Sequence, residues 1–68
     1  MTTAQRILDR LATLSTPQVE EIVDTLRGST NREERVVFHL AIEALEIRDP
    51  QHPAVRAQIE EFNRQFDA

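Results

Sequence analysis

The chain has no cysteine and no lysine, a single glycine and three prolines in 68 residues. Without cysteine there are no disulfides, thiol nucleophiles, iron–sulfur clusters or cysteine-type zinc sites, so nothing staples the core covalently. A reducing interior is allowed, and an oxidising one is not required. One glycine leaves no glycine-rich phosphate loop, and no segment alternates apolar and polar residues as a strand would. Long hydrophobic runs are also missing. The opening stretch MTTAQRILDRLATL reaches a polar or charged residue within every turn, which suits neither a secretory leader nor a membrane span. The expected setting is therefore cytoplasmic. Positive charge is scarce as well: eight arginines face twelve acids, for a formal net charge of -4. Polyanion binding rests on clustered Lys and Arg, so this balance argues against a strong nucleic-acid binder.

What is present is helical periodicity. Ile7, Leu8, Leu11 and Leu14 fall at the spacing of one helix face, predicting a first helix over about 3–14 capped by Thr2 or Thr3. Ser15-Thr16-Pro17 starts a second helix over about 17–27, because proline is favoured at the first helical position and a hydroxyl just before it can cap. Val19, Ile22, Val23 and Leu26 form its stripe, and Gly28 reads as its C-terminal stop.

Two overlapping start signals, Thr30 with Glu33 and Asn31 with Glu34, open a third helix over about 31–48. Its apolar residues cover more than half the circumference, leaving Arg32, Arg35, His39, Glu43 and Glu46 as the polar stripe. Such a helix is normally buried on several sides, so it is expected at the centre. Asp49-Pro50-Gln51-His52-Pro53 must turn, since residues before proline are pushed out of helical geometry. The fourth helix is expected over about 53–66 with His52 as a weak cap and Val55, Ile59, Phe62 and Phe66 as a narrow stripe. Arg56 with Glu60, and Glu60 with Arg64, are favourable i, i+4 pairs. The predicted fold is thus all-α, one compact domain (1–68) of four short helices with the third central.

Catalytic chemistry finds little to use. Ser15 and Ser29 sit at helix boundaries, where capping employs the hydroxyl, and no histidine lies near either in sequence. His39 with Glu43 and Glu46 lie along one helix stripe and could offer an imidazole and two carboxylates to a metal, but the same spacing is ordinary surface pairing. The doublets Glu20-Glu21, Glu33-Glu34 and Glu60-Glu61 point about 100° apart on a helix, so none is a facing acid–base pair. No catalytic residue, cofactor or metal is expected.

Two functional readings remain. The second and third helices could form a helix-turn-helix, with Asn31, Arg32 and Arg35 reaching bases or phosphates from a dimer. Against this, Glu33 and Glu34 share that turn, and residues 29–48 carry three arginines and four glutamates, a net of -1. The preferred reading is a non-enzymatic protein-interaction module that self-associates, as a homodimer, or docks on a larger protein. An unstapled domain this small seldom gains more than about 3–5 kcal/mol from its own core. Burying surplus apolar surface across an interface would add core without adding residues. The expected surplus is the Phe38, Ile42 and Leu45 side of the third helix together with Phe62 and Phe66 of the fourth; the competing expectation is that the fourth helix folds back and covers them.

Overall fold

Each helix in the computed structural model, which describes residues 2–66, begins where a side chain takes over the work of a missing backbone acceptor. In α1 (Thr3–Ala12) Thr2 is the cap, its hydroxyl accepting from the Gln5 N–H at 3.1 Å. In α2 (Thr16–Leu26) the cap is Ser15, the earlier of the two hydroxyls before Pro17. Ser15 accepts from the Gln18 N–H while the Gln18 side chain accepts from the Ser15 N–H at 2.9 Å. This reciprocal box places the helix start one residue before Pro17. In α3 (Arg32–Arg48) the competition between Thr30 and Asn31 goes to Asn31, whose Oδ1 accepts from the Glu34 N–H at 3.1 Å. In α4 (Pro53–Phe66) His52 caps, its Nδ1 accepting from the Ala54 N–H at 3.0 Å.

The ends are equally local. Gly28 takes φ +80 just beyond α2, a left-handed conformation that side chains resist, as its place after Arg27 implied. The first helix ends at Ala12, two residues short of expectation. Leu14 N–H still donates to the Leu11 carbonyl at 3.1 Å, so one tight turn continues and Ser15 is left extended for its cap. Past α3, the Asp49 carboxylate accepts from the Gln51 N–H and the Asp49 carbonyl from the His52 N–H, closing the turn around Pro50.

Among the described residues there are four helices and no strand, and every substantial helix–helix contact includes α3. The central position expected from its wide apolar arc is thus the observed one. Leu11, Val19, Val23, Ala41, Ile42, Ala44, Leu45 and Val55 are the buried hydrophobic core, half of them from α3. Ala41 and Ala44 carry only a methyl group each, which lets neighbouring helices approach closely. Leu45 fills the space between them, with none of its surface exposed.

The expected surplus face is corrected here. Ile42 and Leu45 lie inside the chain's own core, and Phe38 is half-buried against it. The physical reason is that α1, α2 and the start of α4 converge on that arc of α3, Val55 entering the core beside it. The apolar residues of α3 left to solvent are Val36 and Ile47, on the opposite side.

Arg48 follows Ala41 and Ala44 on the same arc, one turn beyond the core, and its guanidinium spans the α1–α2 connection. It donates to the Leu11 carbonyl at 2.9 Å, the Leu14 carbonyl at 2.6 Å and the Thr16 hydroxyl at 3.3 Å. Two carbonyls just past the end of α1's hydrogen-bonded core and the first residue of α2 are thereby tied to the end of α3. Arg48→Met, which keeps the stem and removes the donors, is expected to cost about 1–3 kcal/mol. At this size each kcal/mol lowers the melting temperature by roughly 4–8 °C in a thermal scan followed by circular dichroism. Arg48→Lys should recover only part of that, because an ammonium cannot reach three acceptors as a planar fork does. Leu45→Ala is the harsher test, at roughly 2–5 kcal/mol, comparable with the whole stability of an unstapled domain of this length. Chemical denaturation of that variant should show a chain largely unfolded without denaturant.

Candidate functional site

The fourth helix is held at one end only. Val55 is 1% exposed, yet along the same stripe Ile59 is 50%, Phe62 59% and Phe66 72% exposed. These residues recur at spacings of four, three and four, so they share one face, and α4 leaves the body of the domain as it proceeds. The radius of gyration, 12.1 Å, exceeds the roughly 11 Å of a compact chain of this length, and the longest axis is 36 Å. Between α4 and the rest lies a groove of about 480 Å³, with Arg27, Phe38 and Ile42 on one wall and Ala57, Gln58 and Glu61 on the other.

The anchor at the start of α4 combines packing with a polar link. His52 Nδ1 accepts from the Ala54 N–H, so Nδ1 carries no proton and Nε2 must carry it. Nε2 then donates to the Glu20 carboxylate at 2.7 Å, connecting α4 to α2 across 32 residues of sequence. His52 is 13% and Glu20 44% exposed, so water reaches this link from the Glu20 side. Sequence reasoning found the cap and missed the partner, because no local spacing joins positions 20 and 52.

At the exposed end, the Phe62 and Phe66 rings lie 4.7 Å apart at 40° to one another. The two tilted rings in contact present a broad apolar edge to solvent. The side chains bordering Ile59, Phe62 and Phe66 on a 100° wheel are amides, Gln58 and Gln65 on one side and Asn63 on the other. Arg56 stands beside Ile59 at nearly the angle of Asn63, while Glu60, Glu61 and Arg64 sit further round. The expected i, i+4 pairs are not formed: Arg56 donates instead to the Gln51 side chain at 2.9 Å, back in the turn, and Arg64 pairs with Glu61 at 3.4 Å. Of the five residues expected as interface, Phe62 and Phe66 are therefore accessible, Phe38 partly so, and Ile42 and Leu45 are enclosed. Ile59 joins the accessible set; its place on the stripe was legible, its exposure was not.

The other candidates stay apart. Asn31 spends its side-chain oxygen on the α3 cap while its N–H donates to the Ser29 hydroxyl at 3.2 Å. Arg32 and Arg35 are exposed beside Glu33 and Glu34, so positive and negative groups alternate on that turn. His39 is exposed with its ring against the edge of Phe38, centroids 5.5 Å apart. Among the described residues no three His, Asp or Glu side chains converge as a metal site would require.

His52→Ala is expected to lower stability by about 1 kcal/mol through loss of the cap, and to raise amide hydrogen exchange in α4 more than in α3. His52→Asn should restore protection at Ala54, since asparagine caps well, without restoring the link to Glu20. Comparison with protein-family models, with curated proteins and with solved structures returned no match to this chain.

Proposed function

We propose that this protein is a small acidic, non-enzymatic interaction module, acting in the cytoplasm by presenting the outer edge of α4 to another protein surface. The observation that carries the reading is the rise in exposure from Val55 to Phe66 along one helical stripe. Scattered single hydrophobic residues such as Val36 and Ile47 are normal on any surface. Three in succession, two of them phenylalanines with their rings in contact, form a contiguous patch of the kind that marks binding sites. Interfaces concentrate their energy in a few aromatic anchors at the centre, ringed by polar groups that exclude water. Phe62 and Phe66 with Gln58, Asn63 and Gln65 around them have that composition. The remaining residue types support no competing chemistry: the serines at helix boundaries act in caps and turns, and the histidines are apart.

The helix-turn-helix alternative would use Asn31, Arg32 and Arg35. It is disfavoured by the commitment of Asn31 to the cap and by the glutamates on the same turn. It predicts salt-sensitive DNA binding that weakens in the Arg32→Ala, Arg35→Ala variant.

The paired substitution Phe62→Ser, Phe66→Ser tests the preferred reading. Both side chains are mostly in solvent, so folding stability should change by no more than about 0.5 kcal/mol each. Association, followed by light scattering for self-contacts and by co-purification from the native host for others, should be lost. A melting temperature lowered by many degrees with association unchanged would show that the edge is structural and the reading wrong.

A further inference from the structure

The occupant of the α4 edge follows from the distribution of charge, on the understanding that this edge is a docking surface at all. The chain carries -4, so two copies repel wherever their acidic faces meet. Helix α2 contributes Glu20, Glu21 and Asp24 with no basic residue, a local net of -3. Helix α4 contributes Arg56 and Arg64 against Glu60 and Glu61, a net of zero. Its exposed half is bordered by Gln58, Asn63 and Gln65, and Glu60, Glu61 and Arg64 lie on the far side of the wheel. Among the described residues this extended apolar edge thus carries no acidic neighbour and a single cation, Arg56, at its Ile59 end, so two copies of an acidic chain can approach there without their acidic groups meeting. A partner of strongly opposite charge would instead be drawn to α2, away from the aromatic edge.

We propose that the α4 edge is occupied by a second copy of this chain, the two helices lying antiparallel about a two-fold axis that passes between Phe62 and Asn63. A two-fold interface must be complementary to itself. In this register Ile59 of each copy lies against Phe66 of the other, so the smaller side chain meets the larger at both ends. The two Phe62 rings flank the axis. The patch is small: aromatic side chains bury at most about 150–250 Å² each, so three apolar residues fall short of the roughly 800 Å² per partner of a standard interface. The dimer is accordingly weak and forms in proportion to concentration, with the bordering amides completing the contact.

The absence of cysteine makes a direct test simple, because any introduced thiol is the sole one in the chain. Asn63→Cys places a thiol beside the axis, and Thr25→Cys places one on exposed α2, remote from it. Under mild oxidation with copper–phenanthroline, Asn63→Cys should form a disulfide-linked dimer at least about tenfold faster than Thr25→Cys. Sedimentation equilibrium of the unmodified chain, followed by interference optics since it has no Trp or Tyr, should show a reversible monomer–dimer equilibrium. Phe62→Ser, Phe66→Ser should weaken it at least about tenfold, the usual loss at a pair of anchor residues. Equal cross-linking at positions 25 and 63, or a strict monomer at every concentration, overturns the proposal. If the monomeric chain nevertheless retains a host protein that the Phe62→Ser, Phe66→Ser variant releases, a second copy is excluded as occupant while the docking edge stands. A dimer undiminished by that double substitution removes both.

Discussion

The guanidinium of Arg48 is the point on which the arrangement of the helices depends. A chain of 68 residues without a covalent cross-link must hold its elements together through a small core and few polar contacts. Arg48 lies at the end of the central helix and grips both sides of the α1–α2 connection through two carbonyls and a hydroxyl. A helix end leaves its last acceptors short of partners; Arg48 serves the Leu14 carbonyl and adds a second bond to the Leu11 carbonyl, which also takes the Leu14 N–H. The bond that orients three helices thus also satisfies the groups their ends leave open. Its hydrogen bonds are charge-assisted, stronger than neutral ones, and they cover a span no disulfide serves here.

α4 stands outside that arrangement. Its ties to the body are Val55 in the core, half-buried Ala54 and the His52 bridge to Glu20, all at its first turn. Beyond that turn it relies on its own backbone hydrogen bonds and on the contact of the Phe62 and Phe66 rings. An isolated helix of this length is marginal in water. The free half of α4 therefore gains from any surface that covers it, and this couples the proposed contact to the order of the helix itself. Stability and the proposed association fall to different parts of the molecule: Leu45 and Arg48 lie in or beside the core, Phe62 and Phe66 outside it.

Much of the fold was legible from local signals. Four helices, their approximate limits, the glycine stop at Gly28 and the turn around Pro50 follow from periodicity and from the conformational demands of Gly and Pro, which act within a few residues. Where signals overlapped, sequence reasoning could only present the competitors. Thr30 with Glu33 had the spacing of a capping box, yet Asn31 caps α3, and of the two hydroxyls before Pro17 it is Ser15 that caps α2, through its reciprocal bonds with Gln18. The site was legible in part. Phe62 and Phe66 could be named because their stripe is narrow. Ile42 and Leu45 instead lie in the chain's own core and Phe38 is half-buried against it: the breadth of an apolar arc says how much must be covered, not which neighbour covers it.

Taken alone, the sequence determined an all-helical chain with a central third helix, without cysteine chemistry, and with eight arginines against twelve acids. These are consequences of residue type and of spacing along a single helix, which need no knowledge of where other helices lie. The tertiary structure decided the rest: that α1, α2 and the start of α4 enclose Ile42 and Leu45, that Arg48 reaches Leu11, Leu14 and Thr16, that His52 meets Glu20, and that the apolar surface left over belongs to α4. Each of these joins positions more than thirty residues apart or depends on the angle at which one helix leaves another. No local propensity encodes such an angle; it is set by which side chains fill the core together.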